Sequence, residues 1–324
     1  MSASLEAPRP PSGYRLRRPS HDDIEAVTEL KRSVDVARQG ESDVTVNELI
    51  EEWALPRVSM AEDLWIVETS AGVVVGYGFV WQEDPPCVFV AEQTVHPDHR
   101  GRGLSQLLLG LAETRARQAA GPQPVERPVN LGVWGDEKDA GRIALFARHG
   151  YQHVRTFLRL DLDLTEPPAA PSWPAGIAVR GFRRHRDEAA VHAAMDEAFR
   201  DHWRPDVMNL EEWLAFRFKR PDLDLRLWWV AWAGDEVAGA ALAIETPLGG
   251  YIADLAVRRP WRGRGLGRAL LLEAFTELRR RGQPLAYLGV DSRNPTGAMH
   301  LYTSLGMRPV HGAQHVFEKD LKAG

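Results

Sequence analysis

The sequence holds a single cysteine, Cys87, in 324 residues. One thiol makes no internal disulfide, no cysteine-rich zinc site and no dithiol redox pair, and it suits a reducing compartment. Lysine is scarce: Lys31, Lys138, Lys219, Lys319 and Lys322 are the only five, so arginine supplies most of the 40 basic residues. We read that bias as a mark of GC-rich coding. Long apolar runs are missing, since the richest stretch, 227–244, is broken by Asp235 and Glu236, and no membrane span is expected. No apolar segment with a cleavage site opens the chain, so no secretion signal is expected and the location is read as cytoplasmic. A formal net charge of −5 leaves no global field for nucleic acid or an anionic membrane. What is present is an ordinary globular composition, 44% hydrophobic and 26% charged. At roughly 150 residues per domain, the length suggests two cores.

An internal repeat organises the chain. HPDHRGRGLSQLLLGLAE (96–113) lines up without a gap on RRPWRGRGLGRALLLEAF (258–275), an offset of 162 residues. Other landmarks recur in the same order. Residues 63–80 match 225–244, two alternating strands about a Gly-containing turn; VNLGVW (129–134) matches AYLGVD (286–291); LFARHGY (145–151) matches LYTSLGM (301–307). A Pro-rich stretch, TEPPAAPSWPAG (165–176), lies between the copies and reads as a stiff linker. The expected domains are therefore 1–164 and 177–324. Each copy reads as a short strand (14–17; 177–180), helical pattern, antiparallel strands and an apolar strand (87–95; 250–257). A Gly/Arg turn, an amphipathic helix (104–119; 266–281), another strand, a second helix and a final strand (156–163; 315–320) follow. Ser20 is the expected N-cap of the first helix. This pattern implies an α/β (α+β) fold.

The turn Arg262-Gly263-Arg264-Gly265-Leu266-Gly267-Arg268 follows a buried strand and opens a helix. Glycines let successive backbone N–H groups converge, and a helix start adds partial positive charge, which suits a pyrophosphate. A P-loop needs a terminal Gly-Lys-[Ser/Thr], absent here, and position 270 is Leu where a dinucleotide fingerprint needs Gly. A tight turn with solvated arginines is the plain alternative; two copies in register weigh against it.

The pattern [Arg/Gln]-x-x-Gly-x-[Gly/Ala] at 262–267, preceded by a strand ending LAV, resembles motif A of the GCN5-related N-acetyltransferases, and NPTGAMHLYTSLGM (294–307) resembles that family's C-terminal motif. The resemblance covers both halves and is more specific in the second. The pair is similar to tandem acetyltransferases, of which mycothiol synthase is one type. It implies two tandem domains, each a mixed, mostly antiparallel twisted sheet flanked by helices. It also implies acetyl-CoA as donor and co-substrate, a small-molecule primary amine as acceptor, direct transfer, and no metal. Partners other than these are not expected, and the chain is read as a monomer or homodimer.

Carried over residue by residue, the resemblance sets backbone groups of Leu255, Ala256 and Val257 along the pantetheine arm. One N–H there would serve as oxyanion donor. The turn from Arg262 through Gly263, Arg264, Gly265, Leu266 and Gly267 to Arg268 would take the pyrophosphate. Asn294 resembles the Asn that contacts the arm, although its spacing to Tyr302 is one residue longer than usual. Tyr302 stands at the family's Tyr in L-Y-x-x-x-G and would protonate the departing thiolate; its plain alternative is an aromatic anchor. Asp254 is a candidate general base, with an ion pair as the equal alternative, and Asp291, Glu197 and His202 compete.

In the first copy, Thr94 and Val95 end the strand, and Arg100, Gly101, Arg102, Gly103, Leu104 and Ser105 keep the cradle with Ser in place of the last Gly. Phe146 stands where Tyr302 does and cannot give a proton; Glu92 aligns with Asp254; no Asn matches Asn294. The first domain is expected to be degenerate, structural or holding cofactor without turnover. The acceptor is expected near 196–213, where Glu197, Asp201, Asp206, Glu211 and Glu212 make an acidic stretch with Phe199, His202 and Trp203. Glu197, His202 and Trp203 are its candidate contacts, against the alternative of a solvated helix face. Gly289 and Tyr251 stand where mycothiol synthase would have its substrate-binding Tyr and catalytic Glu. Three readings stay open: an N-acetyltransferase of a small amine, mycothiol synthase proper with a cysteinyl-glucosaminyl-inositol acceptor, and a non-catalytic acyl-CoA-binding module.

Overall fold

The computed structural model describes residues 9–55, 57–83, 87–121, 128–204 and 208–321. They form two compact units, one of 1–156 with 312–324, the other of 157–311.

In the first unit, β1 (Tyr14–Arg17) leads to α1 (Ile24–Gln39), α2 (Val46–Trp53) and the single turn α3 (Met60–Asp63). Then come β2 (Leu64–Thr69), β3 (Val74–Gln82), β4 (Val88–Val95), α4 (Leu104–Ala120), β5 (Val129–Asp136) and α5 (Ala140–Arg148). Val27, Leu30 and Val34 recur at helical spacing and give α1 its buried stripe. Ser20 caps a 3-10 turn in a capping box with Asp23, and Asp23 in turn is the N-cap of α1, one turn later than expected.

After the first copy's last strand, β6 (Gln152–Asp163), the second unit repeats the plan. Its elements are β7 (Ile177–Gly181), α6 (Glu188–Phe199), α7 (Leu210–Arg217), β8 (Trp228–Ala233), β9 (Glu236–Glu245) and β10 (Gly250–Val257). α8 (Leu266–Arg280), β11 (Leu285–Asp291), α9 (Ala298–Ser304) and β12 (Arg308–Leu321) complete it. Leu270, Leu271, Phe275 and Leu278 of α8 lie in the core. A Cβ on Gly250 would stand 2.3 Å from Leu278 Cδ1, so glycine there lets α8 lie flat on its strand.

Strand order is β1-β2-β3-β4-β5-β12 in the first unit and β7-β8-β9-β10-β11-β6 in the second. β4 with β5 and β10 with β11 run parallel, each pair joined through a crossover helix. The closing strands are exchanged. β12 pairs with β5, Leu321 opposite Val129, and β6 pairs with β11, Asp163 opposite Leu285. Domains of 1–164 and 177–324 follow the repeat, whereas the compact units follow the strands: residues 157–163 serve the second unit and 312–321 the first.

Candidate functional site

In the second unit the parallel pairing of β10 with β11 covers only Gly250 and Tyr251. A register shift between Ile252 and Asp254 against β9 marks a bulge there. From this point β10 is paired on one side only, so Leu255, Ala256 and Val257 form a strand edge with no partner strand among the described residues. Beyond the strand, Gly263 (φ 71°) and Gly265 (φ 84°) are left-handed, and a Cβ on either would meet nothing within 4 Å. Gly265 is the N-cap of α8 without a side-chain cap. Among the described residues, the backbone N–H groups from Gly263 to Arg268 have no hydrogen-bond acceptor. Six orphan donors in a glycine-shaped turn at a helix start fit a diphosphate.

The cradle and the C-terminal motif meet at Gly267. The site of its absent Cβ lies 3.3 Å from Leu301 Cδ2, 3.5 Å from Val257 Cγ2 and 3.9 Å from Leu255 Cδ2. The start of α8, the end of β10 and α9 are thus packed together, with Tyr302 following Leu301 on α9. Tyr302 is 9% exposed, its hydroxyl has no hydrogen-bond partner among the described residues, and burial pushes its pKa up to about 12. Such a phenol is fully protonated at neutral pH and has a proton to give. Arg268 reaches Ser304 O at 3.5 Å, tying α9 to the first turn of α8. Asn294 folds its Oδ1 back onto Thr296, accepting from Thr296 N at 2.9 Å, in the turn before α9.

Side chains of the cradle act differently from its backbone. Arg262 donates to Val257 O (3.0 Å), Ala198 O (3.0 Å) and Asp201 (2.6 Å), clamping the turn onto the end of α6. Arg264 lies over Trp261. Asp201, gripped by Arg259 and Arg262, is held well below the usual carboxylate range. Glu197 pairs with Arg258 at 2.7 Å, and Glu212 caps α7, its carboxylate accepting from Asn209 N. The acidic stretch is thus largely spent on internal ion pairs and caps; Asp206 lies outside the described residues. Asp254 is bound by Arg217 of α7 at 2.8 Å, a partner without a sequence signal because it comes from another element. His202, stacked edge-on against Phe199 at 4.8 Å, has its pKa lowered by burial, with Arg262 adding to the effect against the fields of Asp291, Asp201 and Asp254. Trp203 faces Phe157.

The first unit keeps the cradle but covers the strand edge. Gly101 (φ 73°) and Gly103 (φ 82°), the latter the N-cap of α4, repeat the turn, with Ser105 in its first helical turn. Arg100 stands 3.8 Å from Asp139, and Arg102 reaches the Tyr14 hydroxyl at 3.2 Å. β4 pairs with β5 through Ala91, so the splay begins two residues later than in the second unit, and Thr94 and Val95 are buried. The guanidinium of Arg142 donates to the carbonyl of Gln93, the residue equivalent to Leu255, at 2.7 Å. Phe146 is 1% exposed against Phe317 and Tyr151. Glu92 accepts Lys31 at 3.1 Å, and Lys31 also binds Glu52 at 2.7 Å; burial disfavours the ammonium, but Glu52 and Glu92 outweigh it and raise its pKa. Cys87 is buried and has no His partner among the described contacts.

Among the described residues no group of His, Cys, Asp and Glu could hold a metal ion, and no helix is long and apolar enough to cross a membrane. Comparison with known proteins agrees with this geometry. The model of the acetyltransferase (GNAT) family matches residues 25–151 and 189–307, once in each copy. The mycothiol acetyltransferase of Thermobispora bispora is 34% identical over 242 residues, covering 72% of this chain and 76% of that protein. That of Geodermatophilus obscurus is 32% identical, over 67% and 69%. Among solved structures, a GCN5-related N-acetyltransferase from Sphaerobacter thermophilus superimposes with a TM-score of 0.78 at 30% identity over 97% of this chain and 98% of its own. A tandem GNAT protein of the clavulanic acid pathway shares the fold, with a TM-score of 0.73 at 18% identity over 96% and 99%. The chain belongs to the GCN5-related acetyltransferase family and is an acetyl-CoA-dependent N-acetyltransferase with two tandem GNAT domains.

Proposed function

We propose that the second unit acetylates the primary amine of a small molecule by direct transfer and that the first unit performs no turnover. The observation that carries this reading is the junction at Gly267, where unpaired N–H donors and a one-sided strand edge are packed against α9, the helix that bears Tyr302. Backbone donors from Gly263 to Arg268 hold the diphosphate, and the edge of Leu255, Ala256 and Val257 pairs with the amide-bearing arm. Acetyl-CoA supplies an activated thioester carbonyl. A strand N–H on that edge stabilises the oxygen as it gains charge, an effect of roughly 3–4 kcal/mol. Tyr302 donates its phenolic proton to the sulfur as the C–S bond breaks.

The incoming amine must lose a proton. His202 is kept neutral by burial and lies in the fields of Asp291, Asp201 and Asp254, so we assign it as general base. Asp254 competes, but a proton placed on it would cost the ion pair with Arg217. In the first unit, Phe146 cannot act as acid, Arg142 occupies the strand edge, and Lys31 takes the place of an amine against Glu92. A single cofactor per chain follows. Mycothiol acetyltransferase relatives favour a small polar amine as acceptor; Tyr251 and Gly289 make the acceptor pocket this chain's own. A cytoplasmic location fits the lone buried thiol. Assay of coenzyme A release with acetyl-CoA and an amine panel tests the reading: turnover with one acetyl-CoA bound per chain supports it, and acetyl-CoA that fails to bind sinks it.

A further inference from the structure

We propose that the last strand of the first copy builds one wall of the second unit's acceptor pocket, that Phe157 and Arg159 on it determine amine specificity, and that the pocket selects monoamines over polyamines. The proposal rests on the acetyl-transfer reading above. In β6, Phe157, Arg159 and Asp161 stand opposite Asp291, Gly289 and Tyr287 of β11. Directly paired residues of antiparallel strands share a face, and the face of Tyr287 is also that of Tyr251, their rings 5.1 Å apart. Tyr251 is the residue after which β10 and β11 separate, so this face borders the splay between them.

At its centre lies a gap. Gly289 is exposed between the buried Leu288 and Val290, and a Cβ there would meet nothing within 4 Å among the described residues. Arg159 bounds the gap on one side. Its guanidinium lies 4.4 Å from the Tyr287 ring centre and is fixed by two hydrogen bonds to Asp161, at 2.8 and 2.9 Å. Phe157 bounds it toward Trp203, with centroids 6.5 Å apart, and Trp203 follows His202, the assigned base. An amine seated against this wall would rest its body over Gly289, between Arg159 and Phe157.

Three of the carboxylates around this space are already in ion pairs. Asp161 is held by Arg159, Asp254 by Arg217, and Glu197 by Arg258, while Asp291 accepts from Arg293 N at 2.9 Å. A second ammonium would have to break one of these ion pairs or share Asp291 to find a counter-charge, whereas a neutral hydroxylated or amide body finds aromatic faces and hydrogen-bonding rims. Sequence reading alone hides this wall, because β6 belongs to the other copy.

The test is steady-state coenzyme A release with ethanolamine, glucosamine and amino-acid amides against putrescine and spermidine, in wild type and in Phe157→Ala, Phe157→Leu, Arg159→Leu and Gly289→Leu. Acetyl-CoA affinity is measured in parallel by calorimetry, and melting temperatures check folding. A monoamine should be the best acceptor. Phe157→Ala and Arg159→Leu should each raise its KM about tenfold or more, with Phe157→Leu between, while acetyl-CoA affinity stays unchanged. Gly289→Leu should fill the gap and abolish amine saturation with acetyl-CoA still bound. Best turnover of spermidine, or amine constants unchanged in all four variants, overturns the assignment while leaving acetyl transfer standing. A folded wild type that binds no acetyl-CoA overturns the functional reading itself, and this wall with it.

Discussion

Replacing Tyr302 by Phe removes one oxygen and little else. The ring is 9% exposed within the core around α8, and its hydroxyl has no hydrogen-bond partner among the described residues, so the variant leaves no donor or acceptor orphaned. The repeat supplies a natural control, since Phe146 occupies the matching position of the first unit and packs at 1% exposure. Stability should therefore stay close to that of the wild type, because no hydrogen bond is lost and the ring packing is kept. Acetyl-CoA affinity should hold, as the cradle is backbone. The loss falls on kcat: a general acid contributes about 10²–10⁴-fold, or about 3–5 kcal/mol of barrier. The pH profile adds a second check. With its pKa pushed up to about 12 by burial, Tyr302 remains protonated across pH 7–10, so the deficit should be constant over that range. Coenzyme A release can be followed with a thiol reagent, since the protein's one cysteine is buried. Equal kcat in both proteins, or a parallel fall in melting temperature, would refute the acid role.

Gly265→Val forces a β-branched residue to φ near 84° at a cost on the order of 1–3 kcal/mol; it should weaken acetyl-CoA binding and raise its KM, whereas Gly103→Val should leave both unchanged. Calorimetry should count one acetyl-CoA per wild-type chain, and Arg142→Ala, which frees the Gln93 carbonyl, should raise that count toward two; two sites in the wild type would remove Arg142 from its blocking role. His202 has a lowered pKa from burial, so kcat/KM should fall with acid only below pH 6.5. The unfolded chain binds this proton first, so the group's contribution to stability is present above 6.5 and lost as pH falls below it. His202→Gln should erase that acid limb of the rate, and an unaltered limb would return the base role to Asp254.

Much of this protein is legible in its sequence, because local chemistry carries it. The two Gly/Arg turns need positive φ at Gly101, Gly103, Gly263 and Gly265, a backbone demand that glycine meets wherever it stands. Apolar spacing along α4 and α8 likewise sets their buried faces without reference to distant residues. Phe146 in place of Tyr302 shows by composition alone that one copy lacks the hydroxyl we propose as the acid. Tertiary structure decided what depends on partners remote in the chain. It spent Glu197 and Asp201 on arginines of the β10–α8 turn, set Arg217 against Asp254, and aimed Arg142 at a strand edge. It also exchanged the closing strands, which no pattern within β6 or β12 encodes: an alternating strand pairs equally well with any edge that buries its apolar face, and only the assembled sheets select which.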